Sequence, residues 1–376
     1  MLEATFWTAA GLIVFAHVGY PLLLWLLVAL RRGGAGGGVD AGAQHLPSVS
    51  LIVAAFDEEA VIADKVANAL ALDYPGGQLD VVVASDGSTD RTVEAARGAG
   101  ADLVLDLPRQ GKLTAQNAAA EQARGEILAF SDANCVWERD ALLRLVEPFA
   151  DPEVGYVCGQ VRFTDSGGEN LEGLYWRYEM AVRELESGLG GITAGNGAIY
   201  AVRRDAYIAL RPSASHDLSF PFELARRGLR SVYAPAARAA EKMVPTLEGE
   251  FARKRRMMVG LWDIVVGERM LSPRGYRPLF AFQLAAHRLL RYLTPLLHLI
   301  VLGTNVALLG SGWVYTATLL AQAALLLCAA LARVAPLPPL RLARYYVLVT
   351  ASIVAGLWDR VRKGPPAAWE KAAGTR

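Results

Sequence analysis

Long uncharged runs lie toward both ends of this chain, and between them the hydrophobic pattern breaks into short apolar stretches separated by turn residues. Phe6 to Leu30 carries no formal charge and is long enough for a helix to cross a hydrocarbon core of roughly 30 Å. Glu3 precedes the run and Arg31-Arg32 follows it, whereas a secretory signal would have a basic start and a shorter apolar centre. The expectation is a transmembrane anchor over residues 1–32. Its N-terminus would lie outside and the following domain would be cytoplasmic, at the plasma membrane. Gly33 to Gly38 opens a flexible linker over 33–46.

At the other end, Pro278 to Arg291 mixes Phe280, Phe282 and Leu284 with Gln283, His287 and Arg288, the pattern of an amphipathic helix lying in the membrane interface, placed within 271–291. Tyr292–Leu309 and Trp313–Ala332 are uncharged and joined by Gly310-Ser311-Gly312, which predicts a hairpin of two spans. Arg333, Arg341 and Arg344 mark the cytoplasmic side again. Tyr345–Trp358 would reach only about 21 Å as a helix. It stays open between a re-entrant or interfacial segment and a tilted span. The membrane region is placed at 292–358 and a basic tail at 359–376.

From Pro47 the pattern alternates strand and helix. Val49–Ala55, Leu79–Ala84, Ala101–Leu105 and Glu126–Phe130 read as strands. Their largely apolar composition suits a parallel sheet covered on both faces. Helices are expected over 58–71, 90–97 and 113–124, with Tyr74-Pro75-Gly76-Gly77 as a break. Alternation of this kind implies a doubly wound α/β fold over 47–270. After Asp151 the pattern is less regular. It gives a strand near 154–163, a helix near 171–189, a Gly-rich turn at 188–197, a strand at 198–202 and a helix around 222–228.

Composition narrows the function. A net charge of +1 offers no general attraction to nucleic acid. Cys135, Cys158 and Cys328 share no metal-ligand spacing and suggest no disulfide framework.

The chemistry sits in aspartates that end strands or stand on turns beside them: Asp57, Asp86, Asp132 and Asp217. In an open α/β sheet, ligands bind beyond the carboxyl ends of the strands. Carboxylates gathered there repel one another unless a cation balances them. In Asp86-Gly87-Ser88-Thr89-Asp90 an aspartate can bond a ribose or base while the glycine admits the ligand; a capped helix start is the alternative. The two side-chain oxygens of Asp132-Ala133-Asn134 can hold a hard cation and through it a diphosphate; an Asx-turn is the alternative. The absence of GxGxxG counts against a dinucleotide-binding unit.

In order, Pro47-Ser48-Val49-Ser50-Leu51-Ile52-Val53-Ala54-Ala55-Phe56-Asp57-Glu58, Asp86-Gly87-Ser88-Thr89-Asp90, Gly111-Lys112-Leu113-Thr114-Ala115-Gln116-Asn117, Ser131-Asp132-Ala133-Asn134, Gly195-Asn196-Gly197-Ala198-Ile199-Tyr200, Asp217 and the basic helix Arg253–Gly260 resemble a membrane-bound family 2 glycosyltransferase of the polysaccharide-synthase type. The resemblance implies a GT-A fold with a mostly parallel sheet and flanking transmembrane helices. It implies transfer, with inversion, from a UDP-sugar to a lipid or glycan acceptor. It also implies a divalent cofactor, Mg2+ or Mn2+. By position it assigns Asp57, Glu59, Asp86, Lys112, Asp132 and Asn196 to the nucleotide sugar, Asp132 and Asn134 to the metal, Asp217 as general base, and Arg256 as the cation facing the leaving diphosphate. Three positions depart from the family pattern. Asn134 stands where an aspartate is frequent, His216 where an acid commonly precedes the base, and Met257 where processive enzymes carry a tryptophan. A nucleotide-sugar-binding membrane protein without turnover, a sensor or scaffold, is therefore the competing reading.

Overall fold

The structure is a computed structural model that describes residues 1–32, 46–75, 77–164, 171–212, 214–242, 247–335 and 337–364. Most of the expected linker and the end of the expected basic tail lie outside the described residues.

In chain order, α1 (Leu2–Val14) runs through a π-helical turn into α2 (Tyr20–Arg32). The central domain follows as β1 (Val49–Ala55), α3 (Ile62–Leu70), β2 (Leu79–Asp86), α4 (Thr92–Gly98), β3 (Leu103–Leu107), α5 (Lys112–Gln122) and β4 (Ile127–Asp132). It continues with β5 (Val136–Trp137), α6 (Ala141–Val146), β6 (Val154–Thr164), α7 (Leu171–Leu189), β7 (Ile199–Arg203), α8 (His216–Arg226), β8 (Arg230–Lys242) and α9 (Leu247–Gly267). The chain then enters α10 (Pro278–Gln283), a second π turn, α11 (Leu290–Ala307), α12 (Trp313–Leu331) and α13 (Pro338–Lys363).

The strands form one eight-stranded sheet in the order β3-β2-β1-β4-β7-β6-β8-β5. It is parallel through β3, β2, β1 and β4, then turns antiparallel at β7, so it is mixed overall. Alternate residues of the central strands enter opposite cores. Val49 and Leu51 pack with α6 on one face, while Ile52, Val82, Leu128 and Phe130 pack with α5 on the other. Burial on both faces explains why these strands read as continuous apolar runs.

β8 and β5 were not foreseen from the sequence, and α8 begins six residues before the expected helix. The alanines and Pro235 of β8 have little strand preference of their own. Pairing along β6 imposes the strand, and one of the two register shifts in that ladder, between Tyr233 and Arg238, falls where the proline must be accommodated.

Among the described residues, four helices are long and apolar enough to cross a membrane: Leu2–Arg31, Pro278–Ala307, Trp313–Leu331 and Pro338–Lys363. The separate interface helix and first span expected over 271–309 are instead one continuous rod from Pro278 to Ala307. The segment left open at 345–358 is the middle of α13, which runs past the uncharged stretch at both ends. It is tied to the central domain through α9. Arg255 meets Asp359 at 2.5 and 2.8 Å, Arg360 meets Asp263 at 2.7 Å, and Trp262 donates to the Ile353 carbonyl at 3.1 Å. At the N-terminal rod, Phe6 packs with Leu297, Val301 and Tyr315, while Tyr20, Leu24 and Val28 pack against α7.

Candidate active site

β1, β2 and β4 end side by side, with Ala55 opposite Ser85 and Ala54 opposite Asp132. That register brings the loops after three strands to one edge of the sheet, and Asp57, Asp86 and Asp132 with them.

The first two loops are sewn together by hydrogen bonds. Asp57 takes a positive φ of 48°, which an aspartate tolerates better than most residues. In that conformation its amide donates to Ser88 Oγ at 3.0 Å, and its carboxylate accepts from the Thr89 amide at 2.7 Å. Glu59 accepts from the Arg91 amide at 3.1 Å, and its own amide donates to Asp90. Asp86 is 3% exposed and accepts from the amides of Gln110 at 2.7 Å and Gly111 at 2.9 Å. Gly87, at a φ of 69°, is required here: a Cβ would stand 2.7 Å from the Arg109 amide nitrogen. Arg109 in turn lies over the Phe56 ring, 3.2 Å from its centre.

A second group forms around β4 and α8. Lys112, at the start of α5, donates from Nζ to Asp132 Oδ1. Asn134 donates to Glu241 of β8 at 3.3 Å. Burial pushes the Glu241 carboxyl up from its ordinary value and the Asp132 charge adds to this, with the Asn134 bond and Arg253 of α9 pulling the other way. Asp217 stands in the first turn of α8, where Ser215 Oγ bonds its carboxylate and its carbonyl accepts from the Gly195 amide at 2.7 Å. Beside it the His216 ring stacks on Tyr200, with centres 5.2 Å apart, and Tyr200 stacks on Phe130. Gly197 leaves room for that ring: a Cβ there would meet His216 Nε2 at 2.0 Å. Burial and the nearby Lys112 charge lower the imidazole to about 4 against the opposing pull of Asp217 and Asp132, so it is neutral near pH 7. Lys112, Asp132, His216 and Asp217 therefore share one electrostatic environment.

Asn196 is buried with both ends of its amide on the backbone, toward the Gly159 carbonyl and the Ile199 amide. Arg256 is exposed on α9, one turn beyond Arg253. Sequence reading missed Glu241 and Lys65, and took Arg253 only as the start of the basic helix. Lys65, 2% exposed, donates to the Cys135 carbonyl at 2.8 Å beneath the Asp132 turn, and burial lowers it to about 8. Neither Glu241 nor Lys65 has a local signal, whereas His216 was visible as a departure from the family pattern.

Among the described residues no group of three or more His, Cys, Asp or Glu side chains is spaced to cage a metal. A hard cation used with a nucleotide commonly takes only one or two carboxylates from the protein and fills its shell with phosphate and water. The Asp132 carboxylate, the Asn134 amide oxygen and the nearby Glu241 are hard oxygen donors of that kind, and the mutual repulsion of Asp132 and Glu241 is what a divalent charge relieves. The residues fit.

Residues 50–211 match the family model for glycosyl transferase family 2. The β-monoglucosyldiacylglycerol synthase of Nostoc sp. is 31% identical over 252 residues, which cover 60% of this chain and 53% of that protein. The chain thus spans about half the length of that relative. An N-acetylglucosaminyltransferase of Rhizobium meliloti is 27% identical over 334 residues, covering 81% of this chain and 78% of that protein. Among solved structures, the mannosyltransferase PcManGT from Pyrobaculum calidifontis, in complex with GDP-Man and Mn2+, superposes with a TM-score of 0.73 at 26% identity, covering 96% of this chain and 99% of that one. Residues 50–211 therefore match a family 2 glycosyltransferase domain, set on a GT-A-like fold.

Proposed function

We propose that this chain is an enzyme that moves a sugar from a UDP-sugar to a hydroxyl of a lipid or glycan acceptor at the cytoplasmic membrane face, inverting the anomeric carbon. The observation that carries this reading is the convergence of Lys112, Asp132, His216 and Asp217 beyond the strand ends, beside loops whose amides are already fixed by Asp57 and Asp86. The four apolar helices support the membrane placement.

Asp217 takes the proton of the acceptor oxygen as that oxygen bonds to the anomeric carbon. The bond from that carbon to the diphosphate breaks, and the nucleoside diphosphate leaves with the electron pair. Charge therefore grows on the leaving group, and groups that meet it only there raise the rate. Lys112 and Arg256 are the cations proposed for this role. When bound, a divalent cation held by Asp132 and Asn134 would supply further positive charge at the diphosphate. His216, being neutral, adds no charge that competes for Asp217 and fills the wall behind it.

A second donor, GDP-mannose, is favoured by one observation: the superposition along nearly the whole chain with an enzyme holding that nucleotide. Incubating the full chain in nanodiscs with UDP-glucose, UDP-N-acetylglucosamine or GDP-mannose and membrane lipid extract, with Mn2+ or a chelator, separates the two. Glycosylated product with a UDP donor supports the first reading, and product with GDP-mannose alone replaces it by the second. Binding of a nucleotide sugar with no turnover under any condition would sink both and leave the sensor reading.

A further inference from the structure

Away from the strand ends, a cavity of about 190 Å³ opens where the membrane rods meet the central domain. Its walls are Arg31 at the end of α2, the Gly190-Gly191 turn after α7, Arg230 and Ser231 at the start of β8, and Arg277 and Gln283 around α10. Ser231 is 2% exposed and Gln283 0% exposed, yet the serine hydroxyl and both polar atoms of the glutamine amide have no hydrogen-bond partner. Native interiors rarely leave such groups unpaired, and three together around one small cavity need a cause.

The surrounding charge indicates what would satisfy them. Arg31 donates to the Leu189 carbonyl at 2.6 Å, and Arg230 to the Gly190 carbonyl at 3.3 Å and to Asp151 at 3.0 Å. Arg277 pairs with Glu153 at 3.7 Å. Three guanidiniums face two carboxylates, so the cavity keeps a positive excess. Arg31 and Pro278 are also the ends, nearest the central domain, of two candidate spans. Leu279 and Phe282 beside them are exposed. The cavity thus stands at the depth of lipid headgroups if those helices cross a bilayer.

We propose that this cavity binds the phosphodiester headgroup of an anionic phospholipid. Phosphate oxygens accept from the arginines, from Ser231 and from the Gln283 NH2 group. The Gln283 carbonyl oxygen needs a donor, which a headgroup hydroxyl supplies. The headgroup ties the membrane rods to the turn that leads into Thr193–Asn196. None of these residues belongs to the cluster around Asp217, so the proposal stands or falls apart from the donor assignment.

The test uses the full chain in phosphatidylcholine nanodiscs with or without phosphatidylglycerol, read by native mass spectrometry of retained lipid and by melting temperature. Phosphatidylglycerol is expected to be retained and to raise the melting temperature. Arg31→Gln and Arg277→Gln should each weaken retention roughly fivefold. Gln283→Leu should abolish the phosphatidylglycerol increment without lowering the melting temperature in phosphatidylcholine, since it removes an unpaired amide. General attraction to a charged surface would respond to the arginine changes only, so unchanged retention in Gln283→Leu overturns the site. Equal retention of the two lipids does the same. A melting shift with millimolar inorganic phosphate in detergent, unmatched by phosphatidylglycerol, would assign the cavity to free phosphate and overturn the lipid.

Discussion

The two halves of the candidate site treat their carboxylates in opposite ways. On the side of β1 and β2, Asp57, Glu59 and Asp86 have backbone amides as partners, and those bonds hold the loops to each other. On the side of β4 and α8, Asp132 faces a lysine, Glu241 is driven toward its neutral form, and Asp217 borders an imidazole kept uncharged. The first half is built before any ligand arrives. The second stores charge that only a ligand or cation can finish balancing. Carboxylates of one chemical type thus serve as fasteners in one place and are the proposed reactive groups in the other, and their partners set the difference.

The largest effect that would break this division is at the proposed base. Asp217→Asn should lower single-turnover transfer by roughly 10²–10⁴ while leaving nucleotide binding, measured by calorimetry, close to that of the parent. Near-normal turnover would mean that the base is elsewhere. Next, Asp132→Asn should cost about 10²–10³ in turnover and weaken Mn2+ binding followed by electron paramagnetic resonance. An intact Mn2+ signal would move the metal to other oxygens.

The fastening half should respond in stability instead. Asp86→Asn places an NH2 group opposite the Gly111 amide and should cost about 1–3 kcal/mol in denaturant unfolding, with a raised KM for the donor. Loss of turnover with stability unchanged would show that Asp86 belongs with the reactive group. The smallest effect is a pH dependence. His216 is lowered from 6.5 to about 4, so between those values the unfolded chain holds more protons at this position than the folded one. Its contribution is complete above about pH 6.5 and is lost as pH falls toward 4. The fall in melting temperature across that window should be shallower in His216→Gln, and identical profiles would remove the histidine from the account.

Much of this was legible along the chain because it is local. Val49–Ala55 had to be buried on both faces, so its bounds were read correctly, and α7 was read to the residue. The strand-end aspartates announced themselves through the glycines and hydroxyl residues beside them. β8 and Glu241 upon it did not, because nothing in Ala239-Ala240-Glu241-Lys242 favours a strand until β6 lies alongside. The continuous Pro278–Ala307 rod was divided in the reading because its charged residues suggested an interface. In the fold those charges turn inward, where His287 meets Glu186 at 2.7 Å and Arg288 meets Thr193 at 3.0 Å.

The sequence alone determined the alternation of strand and helix, the apolar rods at either end and the ordered motifs of the family, since each depends on neighbours a few positions apart. Only the folded chain decided which carboxylates are fastened and which are left facing charge. That depends on groups distant in sequence, Asp86 with Gly111, Asn134 with Glu241, Lys112 with Asp132, being held within a few ångströms, where burial makes their fields strong enough to set protonation.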